Sequence, residues 1–284
     1  MKIAITGACG KVGQAVVTQC SQSGHSTVQI DLPGTSPGPT NSQLPNTTFH
    51  TVDLASDYES TRSAFSGCDA IIHLAAIPNP VGKPDDKTHN VNVTACFNGM
   101  RAAGELGIKR FCYASSVNAI GLAYSNQPLK FDYFPIDEAA PQRPTDSYAL
   151  AKMEAELQAA SFVEWFPGMK IACMRFHQVG ALEEVRREHE ADWVERGVKQ
   201  LWGWVNPAAT ARACLLSVER CEQWEGMEVF NVCAPTTTQE KSSRELAKEY
   251  WPGTEIRGKF DGCEAFWTCE KAERVLGWKH TETE

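Results

Sequence analysis

The chain of 284 residues has no unbroken apolar stretch near the ~20 residues that a membrane-spanning helix requires. That argues against an integral membrane protein. It has no long run of Lys or Arg, and its formal net charge is −8. Neither nucleic acid nor an anionic membrane surface is expected as a partner. None of its 11 cysteines forms a CxxC pair, and its 7 histidines do not gather near cysteines at ligand spacing. A zinc framework is therefore not indicated, and no metal is expected. Charged leader residues followed by an apolar segment are also missing ahead of the first strand-like run. With an odd, scattered set of cysteines, this points to reduced thiols in a cytoplasmic protein. Hydrophobic residues make up 42% of the chain, enough for one large domain or a domain with a smaller appendage.

What the chain does have, at its start, is glycine at regular spacing. In KIAITGACGKVGQAV (2–16), Gly7, Gly10 and Gly13 lie between an apolar run, Lys2 to Thr6, and a helical pattern, Val12 to Cys20. A strand, a bare turn and a helix start together make an anion site, because the first helical N–H groups and the helix dipole both face a ligand there. Glycine lets a pyrophosphate approach the backbone. Gly7, Gly10, Lys11, Val12 and Gly13 are the candidate residues. Their spacing is GxxGxxG, not the commoner GxGxxG, and a plain glycine-rich turn is the competing reading.

A second strand-like run, Ser26–Ile30, ends at Asp31. A carboxylate at that place suits the two hydroxyls of an adenosine ribose and repels a 2′-phosphate, which favours NAD over NADP. The competing reading is a turn residue opening the Pro/Gly-rich loop 32–46, which reads as a flexible insertion without chemistry of its own. Thr51–Leu54 reads as a short strand ending in an acid. Ala70–Leu74 reads as a buried strand, and after Leu74 the small residues Ala75 and Ala76 would let a nucleotide lie close to the backbone. Val91–Leu106 reads as a helix and 110–116 as another buried strand. Strands alternating with helices predict an α/β fold, a Rossmann-type doubly wound parallel sheet.

Tyr148 and Lys152 stand four apart in SYALAK, one turn apart on one helix face. A phenol of pKa ~10 is a poor acid–base group at neutral pH. A neighbouring ammonium, with a cationic nicotinamide, would bring it toward the working range. Ser115 and Ser116 end a strand and would point into the crevice where such sheets bind ligands.

Taken in order, TGACGKVG (6–13), Asp31, DL (53–54), HLAA (73–76), VNV (91–93), ASSVNAIG (114–121) and YALAK (148–152) resemble the short-chain dehydrogenase/reductase superfamily. The resemblance is to its extended, NAD-dependent epimerase/dehydratase type and covers roughly the first 180 residues. It implies that the three glycines cradle a pyrophosphate, Asp31 holds the adenosine ribose, and Asp53 and Leu54 flank the adenine. Asn92 would match the helix asparagine whose backbone helps hold a proton-relay water. Ser116 would be the catalytic serine, Tyr148 the proton donor or acceptor, and Lys152 its partner. Ser115 and Asn118, in the same stretch, join Ser116 as substrate-facing candidates.

The strand-like run 169–179 places Arg175, His177 and Gln178 at its end. Arg175 and His177 are candidates for touching an anionic or hydroxylated substrate. The charged run from Glu183 to Glu195 reads as a solvated helix face without function, and Trp193, Trp202 and Trp204 read as core. Ala208 and Ala209 stand where the resembled family commonly has an acidic residue. Residues 1–180 are expected to form the cofactor domain. Residues 181–284 are expected to form mostly a small substrate-binding lobe, interleaved with late elements of the sheet. The leading expectation is an NAD-dependent oxidoreductase acting on a secondary alcohol or ketone, or a sugar-acid carbon, of a small molecule. An epimerase or dehydratase without net redox change is the second reading, and a nucleotide-sensing binding protein the third. A homodimer through 91–106 and 147–160 is expected from the resemblance.

Overall fold

The computed structural model describes residues 1–282. Seven parallel strands form one sheet: β1 (Lys2–Thr6), β2 (Ser26–Asp31), β3 (Thr47–Thr51), β4 (Ala70–His73), β5 (Arg110–Ser116), β7 (Lys170–Phe176) and β8 (Met227–Val232). Their spatial order is β3-β2-β1-β4-β5-β7-β8. The chain works outward from β1 in one direction and then in the other, so the strand order reverses between β1 and β4. A ligand crevice opens at such a reversal, beyond the strands' carboxyl ends.

Both faces of the sheet are covered, which is why its central strands are apolar without alternation. Ile3 and Ile5 of β1 pack toward Val16 and Val17 of α1 (Lys11–Gln22) and Ala213 and Leu215 of α6 (Pro207–Glu219). Ala4, one residue out of phase, joins the opposite layer with Phe65 of α2 (Tyr58–Phe65), Cys96 and Met100 of α3 (Asp85–Glu105) and Ala155 and Phe162 of α4 (Ser147–Trp165). The return turns on the far rim are closed locally. Gly24 and Gly107 adopt φ +79° and +71°, and the next residue's N–H caps the preceding helix: His25 to the Cys20 carbonyl at 3.0 Å, Ile108 to that of Ala103 at 2.9 Å.

A third core, rich in aromatic side chains, lies beyond the carboxyl ends of the strands. Phe134, Trp202, Trp251, Phe260 and Phe266 pack there. It is built from the two-residue β6 (Tyr133–Phe134) pairing with β9 (Glu255–Ile256), and from α7 (Ser243–Tyr250) with its flanking loops. Helices α5 (Leu182–Ala191) and α8 (Glu270–Leu276) complete the described α-helices. Trp202 and Trp204 are buried, as expected of core residues, whereas Trp193 is partly exposed.

Several local expectations need correction. Val52 and Leu54 are buried as a strand's residues would be, but they belong to the turn after β3, and the strand itself is the more polar segment 47–51. Helix α3 begins six residues earlier than its apolar pattern suggests, with Asp85 and Asp86 in the first turn where they favour the helix dipole. The loop 32–46 is tied down: buried Asn41 donates to the Gln14 carbonyl of α1 at 3.1 Å and accepts from Thr18 at 3.0 Å.

Candidate active site

The glycine turn forms as its residue types require. Gly7 has φ +67°, and a Cβ there would stand 2.9 Å from the Ala75 nitrogen. A Cβ on Gly13 would stand 2.1 Å from the Gly7 carbonyl oxygen, so α1 could not approach the turn so closely with any other residue. Gly10 precedes α1 as its N-cap, and no side chain caps the first turn. The leading N–H groups, from Lys11 to Gly13, are thus left for an anion. The Lys11 side chain leaves the turn, and its Nζ reaches Glu184 of α5 at 2.9 Å. Asp31, at the end of β2, accepts from the Cys9 N–H at 2.7 Å and from the Leu32 N–H at 2.8 Å. Those bonds fix its carboxylate beside the turn. This cradle and its adjacent carboxylate fit a dinucleotide's pyrophosphate and ribose.

At the end of β5 adjacent side chains point to opposite faces. Ser115 donates to Glu156 at 2.7 Å and also contributes to the lining of the cleft. The Ser116 hydroxyl accepts from the Asn118 N–H at 3.1 Å and from the Asn118 amide at 3.3 Å. Helix α4 is started by Asp146, which accepts from the Ala149 N–H at 2.8 Å. That start places Tyr148 and Lys152 one turn apart, facing the end of β5. Lys152 donates to the Ala114 carbonyl at 2.5 Å. Its Nζ lies 4.8 Å from the Tyr113 ring centroid and 5.6 Å from that of Tyr148.

Both side chains are buried, and burial dominates their ionisation. The Lys152 ammonium is pushed down to about 8. The Tyr148 phenol is pushed up, its burial outweighing the lowering influence of the nearby Ser116 hydroxyl. The expected lowering of Tyr148 by Lys152 is therefore absent from the protein alone. The ammonium lies toward the ring and bonds a carbonyl instead of reaching the phenol oxygen.

These groups form the floor of a cleft of about 790 Å³. Val12, Leu74 and Ala76 line its end nearest the glycine turn, Tyr124 packs edge-on against Tyr148 at 5.8 Å, and Asn118 and Lys152 are also in its wall. The opposite wall carries His177, Gln178, Glu188, Asp192, Glu195 and Arg196. The charged run 183–195 is thus not merely a solvated helix face. Only Val185 and His189 of α5 are buried, while the end of that run looks into the cleft.

Other expected site residues are not among those lining this cleft. Arg175 does not reach the cleft, because its guanidinium grips the buried Glu156 carboxylate at 2.9 and 2.7 Å and the Glu138 carbonyl at 3.3 Å. The Asn92 side chain is taken up by the loop after β4, donating to the Ile77 carbonyl at 3.0 Å and accepting from the Ile77 N–H at 2.7 Å. Asp53 holds the Ala55 N–H at 3.0 Å. The Leu54 side chain is buried in the core behind β2, and its carbonyl accepts from Asn98 at 2.7 Å. The Ala75 N–H is held by the Thr6 hydroxyl at 3.2 Å, which draws that loop onto the end of β1.

This arrangement has counterparts among known proteins. The sequence profile of the NAD dependent epimerase/dehydratase family matches residues 3–233. The chain belongs to that family. It is similar to an L-arabinose 1-dehydrogenase (NAD(P)(+)) of Haloferax volcanii, 27% identical over 207 residues, which are 71% of this chain and 76% of that protein. It is also similar to a uronate dehydrogenase of Pseudomonas syringae pv. tomato, 26% identical over 163 residues, 57% of this chain and 54% of the relative. The UDP-glucose 4-epimerase structure of Thermotoga maritima shares the fold with a TM-score of 0.71 at 20% identity, covering 100% of this chain and 94% of that one. Dehydrogenases and epimerases both occur among these relatives of an NAD(P)-dependent enzyme family. Among the described residues, no helix is long and apolar enough to cross a membrane.

Proposed function

We propose that this protein is an NAD-dependent oxidoreductase that interconverts a secondary alcohol and a ketone on a small molecule. The observation that carries this reading is the meeting of Ser116, Tyr148 and Lys152 on the floor of one cleft, whose other end begins at Val12 of the glycine turn. When bound, the nicotinamide would give or take the hydride. The chain's own residues do the rest. Ser116, oriented by the Asn118 N–H, holds the substrate oxygen. Tyr148 passes a proton to that oxygen or takes one from it. Lys152 would bond the nicotinamide ribose once the cofactor is present and, from 5.6 Å off the Tyr148 ring, would bring positive charge toward the phenol. The turn from Gly7 to Gly13 holds the pyrophosphate, and Asp31 holds the adenosine ribose, which favours NAD over NADP. Residues 1–180 supply the cofactor side, and the later part of the chain supplies most of the substrate wall.

The same geometry serves an epimerase, which would retain its nucleotide and need none added. Tyr148→Phe tests the reading. Turnover of NAD with an alcohol substrate should fall by about 10²-fold or more while NADH binding stays near wild type. Turnover that survives this substitution would remove Tyr148 from the chemistry. Racemisation of a substrate centre without any net change in nicotinamide absorbance would instead favour the epimerase.

We further propose a homodimer through α3 and α4. Leu150 and Leu157, two turns apart on α4, are exposed, and so is Trp165 near its end.

A further inference from the structure

We infer that the cleft selects an uncharged polyhydroxylated molecule, a sugar or polyol, over one bearing a carboxylate or phosphate. This rests on the oxidoreductase reading above and narrows its substrate.

The wall facing Tyr148 carries three carboxylates, Glu188, Asp192 and Glu195, and one guanidinium, Arg196. That guanidinium is already committed, donating to Glu188 at 2.7 Å. Glu195 is held by Lys199 at 2.8 Å. Asp192 accepts the Glu195 N–H at 3.1 Å and has no cationic partner among the described residues. On the floor, Lys152 donates to the Ala114 carbonyl. Arg175, the one cation that the sequence offered for an anionic group, is closed off with Glu156. A ligand carboxylate or phosphate would thus face like charges on this wall, and Lys152, the one lining cation without a carboxylate partner among the described residues, is the group that the reading above gives to the nicotinamide ribose.

A second observation points the same way and is independent of the carboxylates. His177, buried in the same wall, accepts the Gln178 N–H at its Nδ1 at 2.7 Å, which leaves the proton on Nε2. That Nε2 is buried and has no hydrogen-bond partner among the described residues. Gly203 lies against it, and a Cβ there would stand 2.4 Å away. Burial lowers the imidazole to about 3, so it stays neutral at physiological pH. His177 is therefore uncharged and, with its Nε2 enclosed against Gly203, cannot serve as a cation. The carboxylate acceptors and the Ser116 and Tyr148 hydroxyls of the lining together suit hydroxyl groups, which both donate and accept.

The test uses the full chain loaded with NADH, and separately with NAD. Matched sets of hexose, hexuronate and hexose 6-phosphate, in gluco and galacto configuration, are titrated by nicotinamide fluorescence and assayed for turnover. The uncharged member should lead each set by roughly tenfold in affinity or kcat/KM. Raising salt from about 20 to about 300 mM should narrow the gap by improving the charged members, since screening weakens repulsion. Asp192→Asn should raise the hexuronate relative to the hexose by about threefold. Preference for the uronate or the phosphate overturns the inference. So does NADH binding accompanied by binding of no uncharged sugar. Failure of NADH itself to bind would sink the oxidoreductase reading, and titration of the same sets against the cofactor-free protein would still decide the charge preference.

Discussion

Arg175 and Glu156 are joined by two hydrogen bonds, 2.9 and 2.7 Å, in the interior beside the serine pair that ends β5. Glu156 also accepts from Ser115 at 2.7 Å and Gln142 at 2.8 Å, so the four side chains form one buried network. Arg175→Ala would strand a buried carboxylate, at a cost of about 3–5 kcal/mol. The midpoint of denaturant unfolding should fall accordingly, while substrate KM in the folded protein stays close to wild type. A double change to Arg175→Met with Glu156→Leu should recover much of the loss. A large rise in KM with unaltered stability would return Arg175 to the substrate site.

Lys152 makes the opposite trade. Below pH 8 its ammonium is present in both the folded and the unfolded chain, and the folded state bears the burial cost in full. Between about 8 and 10.5 the unfolded chain keeps a proton that the folded chain has released, so this group makes stability rise with pH across that window. The cost is on the order of 3 kcal/mol at most. Lys152→Met should therefore raise the melting temperature of the cofactor-free protein at pH 7, by an amount that shrinks toward pH 10, and should abolish turnover. Thermal melts at both pH values check this.

Asp31 holds the Cys9 N–H and, in the function proposed above, also faces the adenosine ribose. Asp31→Ser keeps an acceptor for the turn and removes the charge. NADH affinity should fall by roughly tenfold and NADPH affinity should change little or improve, which narrows the preference. Fluorescence titration with both nucleotides reads the ratio. An unchanged ratio would separate the cofactor choice from this carboxylate.

Leu157 is 61% exposed in the chain taken alone. Leu157→Arg should turn a dimer into a monomer in sedimentation at micromolar concentration, with the far-ultraviolet dichroism unchanged. A wild-type protein that sediments as a monomer would leave the α4 stripe as ordinary surface.

The parts of the fold that were legible in sequence are those set by local chemistry. β1 and β5 read correctly to the residue, because a strand buried on both faces is a continuous apolar run. The glycine turn and the Tyr148–Lys152 pair were legible because their spacing is short. β3 was misplaced for the converse reason: as an edge strand it is polar, and the burial pattern it should have shown falls on Val52 and Leu54 in the following turn. Arg175 was misread because its partner sits 19 residues away on another element, and an acid inside YALAKMEAELQ gives no sign that it is buried. The cleft wall was missed because solvent and a hydrophilic ligand ask for the same residue types. Glu188, Asp192 and Glu195 look alike in sequence whichever they face. Only their position just after the strand end at His177 pointed to the crevice.

All seven strands run the same way, so each candidate catalytic and nucleotide-cradling group stands on one rim of the sheet. The other rim consists of tight returns such as those at Gly24 and Gly107, closed by their own backbone and with open space where a side chain would be. For anyone wishing to immobilise this protein on an electrode or couple it to a dye, that reverse rim offers attachment points some distance from the chemistry, where a tether leaves ligand entry unobstructed.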